Sequence, residues 1–108
     1  MSSISTHVLD TARGAPAAGV AASLEVLTGG EWIHLAKATT NADGRIAQFA
    51  AADAALPPGI YRLRFDTGAY QAGFYPEVTI TFRMDSADQH YHVPLLLSPF
   101  GYSTYRGS

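Results

Sequence analysis

The dominant rhythm along this chain is a period of two. Tyr61, Leu63 and Phe65 alternate with Arg62, Arg64 and Asp66, and Val78, Ile80 and Phe82 alternate with Thr79, Thr81 and Arg83. Successive strand side chains point to opposite faces, so each run reads as a half-buried strand. Residues 4–9 make a short β-competent run, closed by the turn residues of Asp10-Thr11-Ala12-Arg13-Gly14-Ala15-Pro16. Residues 20–28 alternate around Leu24 and Val26, and Gly29-Gly30 signals a hairpin into residues 31–39. Asn41-Ala42-Asp43-Gly44 is a second turn, which delivers Arg45 to the start of another short strand. Residues 50–56 are rich in alanine, but Pro57-Pro58-Gly59 stops any helix there. One helix is expected, with Asp66 or Thr67 as its cap, Ala69-Tyr70-Gln71-Ala72 as its body and Gly73 at its end. Many short strands, frequent turns and one short helix predict an all-β fold. The expectation is a single domain over residues 1–108, an antiparallel β-sandwich of two sheets with one short helix.

The last apolar stretch departs from the ordinary pattern. As one long strand it places Tyr91, Val93, Leu95 and Leu97 on the core face, and His90, His92, Pro94, Leu96 and Ser98 on the other. A face that mixes Leu, Pro, Ser and His is too apolar to be simply wet, and reads as a subunit interface that contains a site. A Ser98-Pro99-Phe100-Gly101 turn reverses the chain into a polar, aromatic strand that ends in Tyr105-Arg106-Gly107-Ser108.

Composition adds to this. Charged residues are 15% of the 108 and apolar residues 47%, against a usual charged share of about a quarter. So few charges point to surface covered by partner subunits. A net charge of −2 gives no general attraction to nucleic acid or to an anionic membrane. With no cysteine there is no disulfide, thiolate nucleophile or zinc-thiolate site. Met1-Ser2-Ser3-Ile4-Ser5-Thr6-His7 has neither a basic nor an apolar signal region, and no apolar run approaches membrane-spanning length. The ending Arg106-Gly107-Ser108 is not a Ser-Lys-Leu type of address. A soluble cytoplasmic protein is the expectation.

The titratable candidates are few. Taken alone, His7 on the first strand reads as a surface or packing residue, and His34 as a solvent-face residue. His90 and His92 form a His-x-His pair, but no third ligand follows at a metal-site spacing, so no metal is expected. His92 instead suits general acid–base work, since an imidazole titrates at about 6.5. Arg45, held after a tight turn, is either a solvated cation or a grip for a planar, carbonyl-rich ligand. Ser108 would need an adjacent base to act as a nucleophile. Asp10-x-x-Arg13-Gly14 reads as turn chemistry, and neither Gly29-Gly30 nor Gly101 has a phosphate-loop context.

Several segments together resemble the transthyretin-related family, and specifically its 5-hydroxyisourate hydrolases, over nearly the full length. They are residues 6–17 (Thr-His-Val-Leu-Asp-Thr-Ala-Arg-Gly-Ala-Pro-Ala), Thr40-Asn41-Ala42-Asp43-Gly44-Arg45, Gly59-Ile60-Tyr61, Phe74-Tyr75-Pro76 and everything from His92 to the closing Tyr105-Arg106-Gly107-Ser108. Phe100 departs from the tyrosine that many relatives carry there. The resemblance implies a transthyretin-like β-sandwich that assembles as a homotetramer, with sites at the dimer–dimer interface and the His92, Pro94 and Leu96 face lining a central channel. It implies hydrolysis of 5-hydroxyisourate to 2-oxo-4-hydroxy-4-carboxy-5-ureidoimidazoline in urate degradation, without cofactor or metal. By the same resemblance His7, Arg45, His92 and Ser108 are catalytic, while His7, Arg45, Tyr105, Arg106, Pro94 and Leu96 bind the substrate. Ser108 would orient a water or a histidine, with direct attack as the lesser alternative. The competing reading is a transthyretin-like carrier that holds a small aromatic ligand in the channel. A purely structural sandwich, in which His7 and His92 share no role, ranks last.

Overall fold

The alternating runs fold as strands, and their apolar faces meet. The computed structural model describes residues 3–49 and 56–107. Along the described residues run β1 (Ser3–Asp10), β2 (Ala15–Pro16), β3 (Ala21–Thr28), β4 (Glu31–Thr39), β5 (Arg45–Ile46), β6 (Gly59–Phe65), α1 (Thr67–Tyr70), β7 (Val78–Met84), β8 (His90–His92), β9 (Leu95–Leu97) and β10 (Tyr102–Thr104). The alanine-rich segment, apart from Leu56, lies outside the described residues. No described helix is long and apolar enough to cross a membrane.

One sheet is antiparallel throughout, in the order β4-β3-β6-β7. Gly29 and Gly30, at φ 59° and 82°, make its first hairpin turn, the left-handed pair that a two-residue hairpin requires. The register against β4 shifts between Leu24 and Glu25, whereas against β6 it runs unbroken and sets the buried Glu25 opposite Arg62, ion-paired to Arg62 and Arg64. Burial would raise the Glu25 carboxyl, but Arg62, and less strongly Arg64, outweigh that and hold it below its ordinary range.

The other sheet is mixed, with the order β10-β9-β1-β2 and with β5 and β8 also paired to β1. Strand β1 is its hub: it runs antiparallel to β2 and β5 but parallel to β8 and β9. The expected long strand is therefore interrupted at Val93-Pro94, where proline has no N–H for the ladder. The register carries on across the break, with Ser5 opposite His92 before it and Val8 opposite Leu95 after it. Val93 N–H still donates to Ser5 C=O at 3.0 Å, and the Thr6 hydroxyl donates to Val93 C=O at 2.6 Å.

The core is one apolar cluster shared by both sheets. Ile4, Val8, Tyr91, Leu95 and Leu97 come from the mixed sheet, and Leu24, Tyr61, Leu63, Phe65 and Val78 from the antiparallel one. Helix α1 is capped by Asp66, whose side chain accepts from Ala69 N–H. It ends earlier than expected: Gln71 is already extended, because its side-chain amide is drawn to Ser98 C=O at 3.0 Å. The Tyr70 hydroxyl donates to the buried Asp10 carboxylate at 2.7 Å and accepts from Arg13 at 2.9 Å, fastening α1 to the end of β1. Arg13 N–H also donates to Asp10, the turn chemistry that the sequence suggests.

Candidate active site

The outward face of β1 carries Ser3, Ser5 and His7, while Ile4, Thr6 and Val8 point into the core. Pairing then sets one polar residue beside each of the three: Ser3 faces His90, Ser5 faces His92 and His7 faces Arg45. Three separated stretches of chain thus bring three histidines and an arginine onto adjacent strands of one face.

Arg45 owes its place to the turn before it. The Asn41 side-chain oxygen accepts from Asp43 N–H at 2.9 Å and from Arg45 N–H at 3.0 Å, and Gly44 N–H donates to Asn41 C=O at 2.9 Å. Gly44 has φ 73°, and its carbonyl accepts from Val8 N–H at 2.7 Å. A side chain at residue 44 would overlap the Val8 carbonyl and meet Ala17 N at 3.1 Å. Only glycine brings this turn so close to β1, and that closeness sets Arg45 beside His7.

His92 is half-buried. Its Nδ1 shares a 2.8 Å hydrogen bond with the Ser5 hydroxyl, and its carbonyl accepts from Gly107 N–H at 2.9 Å as the C-terminal segment crosses it. Desolvation, then the charge of Arg45 and the neighbours His90 and His7, hold its pKa below the ordinary 6.5. At neutral pH His92 is therefore an uncharged base beside a fixed guanidinium, a pairing suited to activating water and stabilising an oxyanion.

Two cavities of about 230 Å³ each border His92. One is lined by Ser5, Arg45, His90 and His92, the other by Phe82, Tyr91, His92, Tyr105 and Arg106. A larger hollow of about 360 Å³ lies on the antiparallel sheet by Lys37, Arg64 and Glu77. It holds no histidine, and Arg64 and Glu77 are ion-paired there at 2.8 Å, so the site is assigned to the mixed sheet.

The sequence-derived set divides accordingly. His7, Arg45 and His92 come together as expected. Tyr105 is 59% exposed. Arg106 lines the second cavity beside His92, where it donates to the Gln89 side-chain oxygen at 3.0 Å and stacks on the Tyr91 ring at 4.8 Å. Leu96 is half-buried on the outward face, but Pro94 is buried within the chain and offers no free surface. Ser108 lies outside the described residues. His34 is solvent-exposed on β4, as its sequence position suggests. No group of three or more metal-capable side chains exists among the described residues. Sequence reasoning missed Ser5. The alternation Ser3-x-Ser5-x-His7, which puts both serines on the His7 face, was the signal available.

A two-sheet sandwich with a histidine–arginine cluster on the outward face of its mixed sheet defines the class of protein. The chain belongs to the HIUase/Transthyretin family, whose model matches residues 4–107. It is 45% identical to the 5-hydroxyisourate hydrolase of Halalkalibacterium halodurans, over 97% of each chain. It is 46% identical to the uric acid degradation bifunctional protein TTL of Arabidopsis thaliana over 97% of its own length, but spans only 37% of that longer protein. Among solved structures, the 5-hydroxyisourate hydrolase of Klebsiella pneumoniae is 45% identical with a TM-score of 0.84, covering 98% of this chain and 99% of that one. Sea bream transthyretin, solved in complex with thyroxine, is 32% identical with a TM-score of 0.89, covering 96% of this chain and 93% of that one.

Proposed function

We propose that this protein hydrolyses 5-hydroxyisourate to 2-oxo-4-hydroxy-4-carboxy-5-ureidoimidazoline. The observation that carries the reading is the convergence of His7, Arg45 and His92 on β1, β5 and β8. Relatives that act on this substrate, alike over the whole chain, support it. His92 takes a proton from water as the water oxygen bonds to the ring carbonyl carbon. Arg45 binds the planar substrate and balances charge developing on the carbonyl oxygen. The ring C–N bond then breaks, and the proton held by the imidazole goes to the departing nitrogen. His7 supports this exchange, Ser108 orients the water or a histidine, and Tyr105, Arg106 and Leu96 shape the wall. No metal or cofactor enters the scheme.

The working form is a homotetramer, two dimers face to face, with the outward face of β1 and β8 lining the channel between them. Its support is the exposed apolar surface of Phe74, Phe100, Tyr102 and Tyr105, together with the edge strands β7 and β10, which invite pairing. The compartment we assign is the cytoplasm, on the sequence reading alone.

The test is the ultraviolet decay of 5-hydroxyisourate, generated in place from urate by urate oxidase, with and without the protein. Faster decay that His92→Ala abolishes supports the hydrolase. Saturable binding of an aromatic ligand without acceleration would mark a carrier, the reading that likeness to a thyroxine-bound transthyretin favours.

A further inference from the structure

Behind His92 runs a row of polar groups that the scheme above does not use. The Ser5 hydroxyl lies 2.8 Å from His92 Nδ1 and also 2.8 Å from His90 Nε2. Beyond it, His90 Nδ1 lies 2.5 Å from the Ser3 hydroxyl. Ser5 is 7% exposed, whereas His90 is exposed. The row therefore leads from the half-buried ring at the site out to solvent.

A hydroxyl has a single proton and two lone pairs, so Ser5 can donate to one ring while it accepts from the other. For His92 to present a bare Nε2 to water, its own proton must sit on Nδ1 and point at Ser5. Ser5 then donates to His90 Nε2, and His90 carries its proton on Nδ1, toward Ser3. Every group in the row has a partner in this order.

We propose that Ser5 and His90 are positioning residues that form a proton relay with His92, so that the proton His92 takes from water comes to rest on His90. The steps balance. Water gives a proton to His92 Nε2, His92 Nδ1–H passes its proton to the Ser5 oxygen, and Ser5 passes its own to His90 Nε2. His92 ends neutral with Nε2 protonated, and His90 ends as a cation donating to Ser3. Reversing the row returns the proton through His92 Nε2 to the departing nitrogen. The physical gain is in where the charge sits. A cation on His92 would be half-buried and close to Arg45, whereas on His90 it meets solvent. The titratable and charged groups around the row are His7 on β1, Arg45 on β5 and His92 on β8, with Asp88 just before β8 and Arg106 in the C-terminal segment.

The relay rests on the hydrolase reading for its purpose, so it is tested by two readouts. In the decay assay, Ser5→Ala and His90→Gln each lower kcat about tenfold, the worth of one functional hydrogen bond, with KM within about twofold. Ser5→Thr, which keeps the hydroxyl, restores kcat. The double variant Ser5→Ala with His90→Gln is no slower than Ser5→Ala alone, because the two act in series. Wild-type kcat in Ser5→Ala, or additive losses in the double variant, would overturn the relay. The second readout is ¹⁵N NMR of histidine-labelled protein without substrate. In the relay, protonating His90 makes Ser5 accept from it and turn its own proton to His92, so His92 switches its proton from Nδ1 to Nε2. That switch occurs in the wild type and Ser5→Thr and is absent in Ser5→Ala. A His92 tautomer indifferent to His90 overturns the relay even if the chain proves to be no hydrolase. Failure of wild-type turnover with the switch intact overturns the hydrolase reading only.

Discussion

Adding one methyl group at Gly107 should disable the site while leaving the fold nearly intact. Gly107 is pinned over the His92 ring, its N–H donating to His92 C=O at 2.9 Å. A Cβ built there would stand 3.1 Å from His92 Cγ and 3.4 Å from its Cβ, and nearer still to Cδ2, where carbon atoms prefer about 3.5–4.0 Å. Its φ lies outside the left-handed region, so the conflict is with the ring and not with the backbone. To make room the ring must shift by about 1 Å toward β1, on its other side, which spoils the geometry of its 2.8 Å hydrogen bond with Ser5. Alternatively the C-terminal segment lifts and gives up its bond to His92. Either response costs one hydrogen bond, about 1 kcal/mol, and misplaces the base. A shift of about 1 Å at a catalytic group is worth about 10²-fold in rate. We therefore expect Gly107→Ala to reduce kcat/KM about 10²-fold in the 5-hydroxyisourate decay assay, with Tm lowered by about 4–8 °C. Gly101→Ala is the control, because a Cβ there finds ordinary contact at 3.7 Å from Ser98 and should leave the rate unchanged. A Gly107→Ala rate within about threefold of wild type would refute the packing argument.

Other perturbations test separate links. His92→Ala should lose about 10²–10⁴-fold in kcat, the usual worth of a general base, with the oligomer unchanged by size-exclusion chromatography; near-normal turnover would end its assignment. Arg45→Gln should move the acid limb of kcat/KM to higher pH. Neutral His92 is the active form, and burial with the Arg45 charge keeps it neutral below 6.5; without that charge it takes up a proton at higher pH, so an unmoved limb would exclude Arg45 as a determinant. Tyr70→Phe should cost about 1 kcal/mol of stability at pH 7, read by denaturant unfolding. Tyr70 holds the Asp10 carboxyl below 3.8, chiefly through its hydrogen bond. That stabilisation is present above 3.8 and lost as pH falls through the folded value, so the variant should also show a flatter stability curve in acid.

Much of the fold was legible because half-buried strands impose a period of two. The Tyr61, Leu63 and Phe65 face is fully buried, and the turns at Gly29-Gly30 and Gly44 lie where glycine had to stand. Tyr91, Val93, Leu95 and Leu97 face the core, as alternation requires. What local pattern could not give is partnership across the chain. Nothing near Ser3–Asp10 announces that it pairs in parallel with His90–His92, because that choice depends on how two distant apolar faces pack. The end of α1 was misplaced for a similar reason, since Ser98 pulls Gln71 out of the helix. Alternation set Pro94 on the outward face, and resemblance alone gave Pro94 and Arg106 their binding roles. In the chain itself Pro94 is covered and Arg106 is held by Gln89 and Tyr91.

The parallel pairing also explains why the site and the core cannot be separated. A one-residue slip of β8 against β1 would send His90 and His92 to the face now filled by Tyr91 and Val93. The register is therefore fixed by the core side of the same strands, where Ile4, Val8, Leu95 and Leu97 are essentially inaccessible and the Thr6 hydroxyl binds Val93 C=O within the interruption at Pro94. Each inward residue that resists a slip holds its outward neighbours in line: Thr6 lies between Ser5 and His7, and Tyr91 between His90 and His92. The alignment of Ser5 with His92 and of His7 with Arg45 is thus set by apolar packing on the opposite face. Only the short strand β5 with Arg45 and the C-terminal segment come from outside that pairing, and each is brought close by a glycine, Gly44 against β1 and Gly107 against His92. The sheet positions the histidines, and two glycines let the turn before Arg45 and the C-terminal segment approach them closely enough for chemistry.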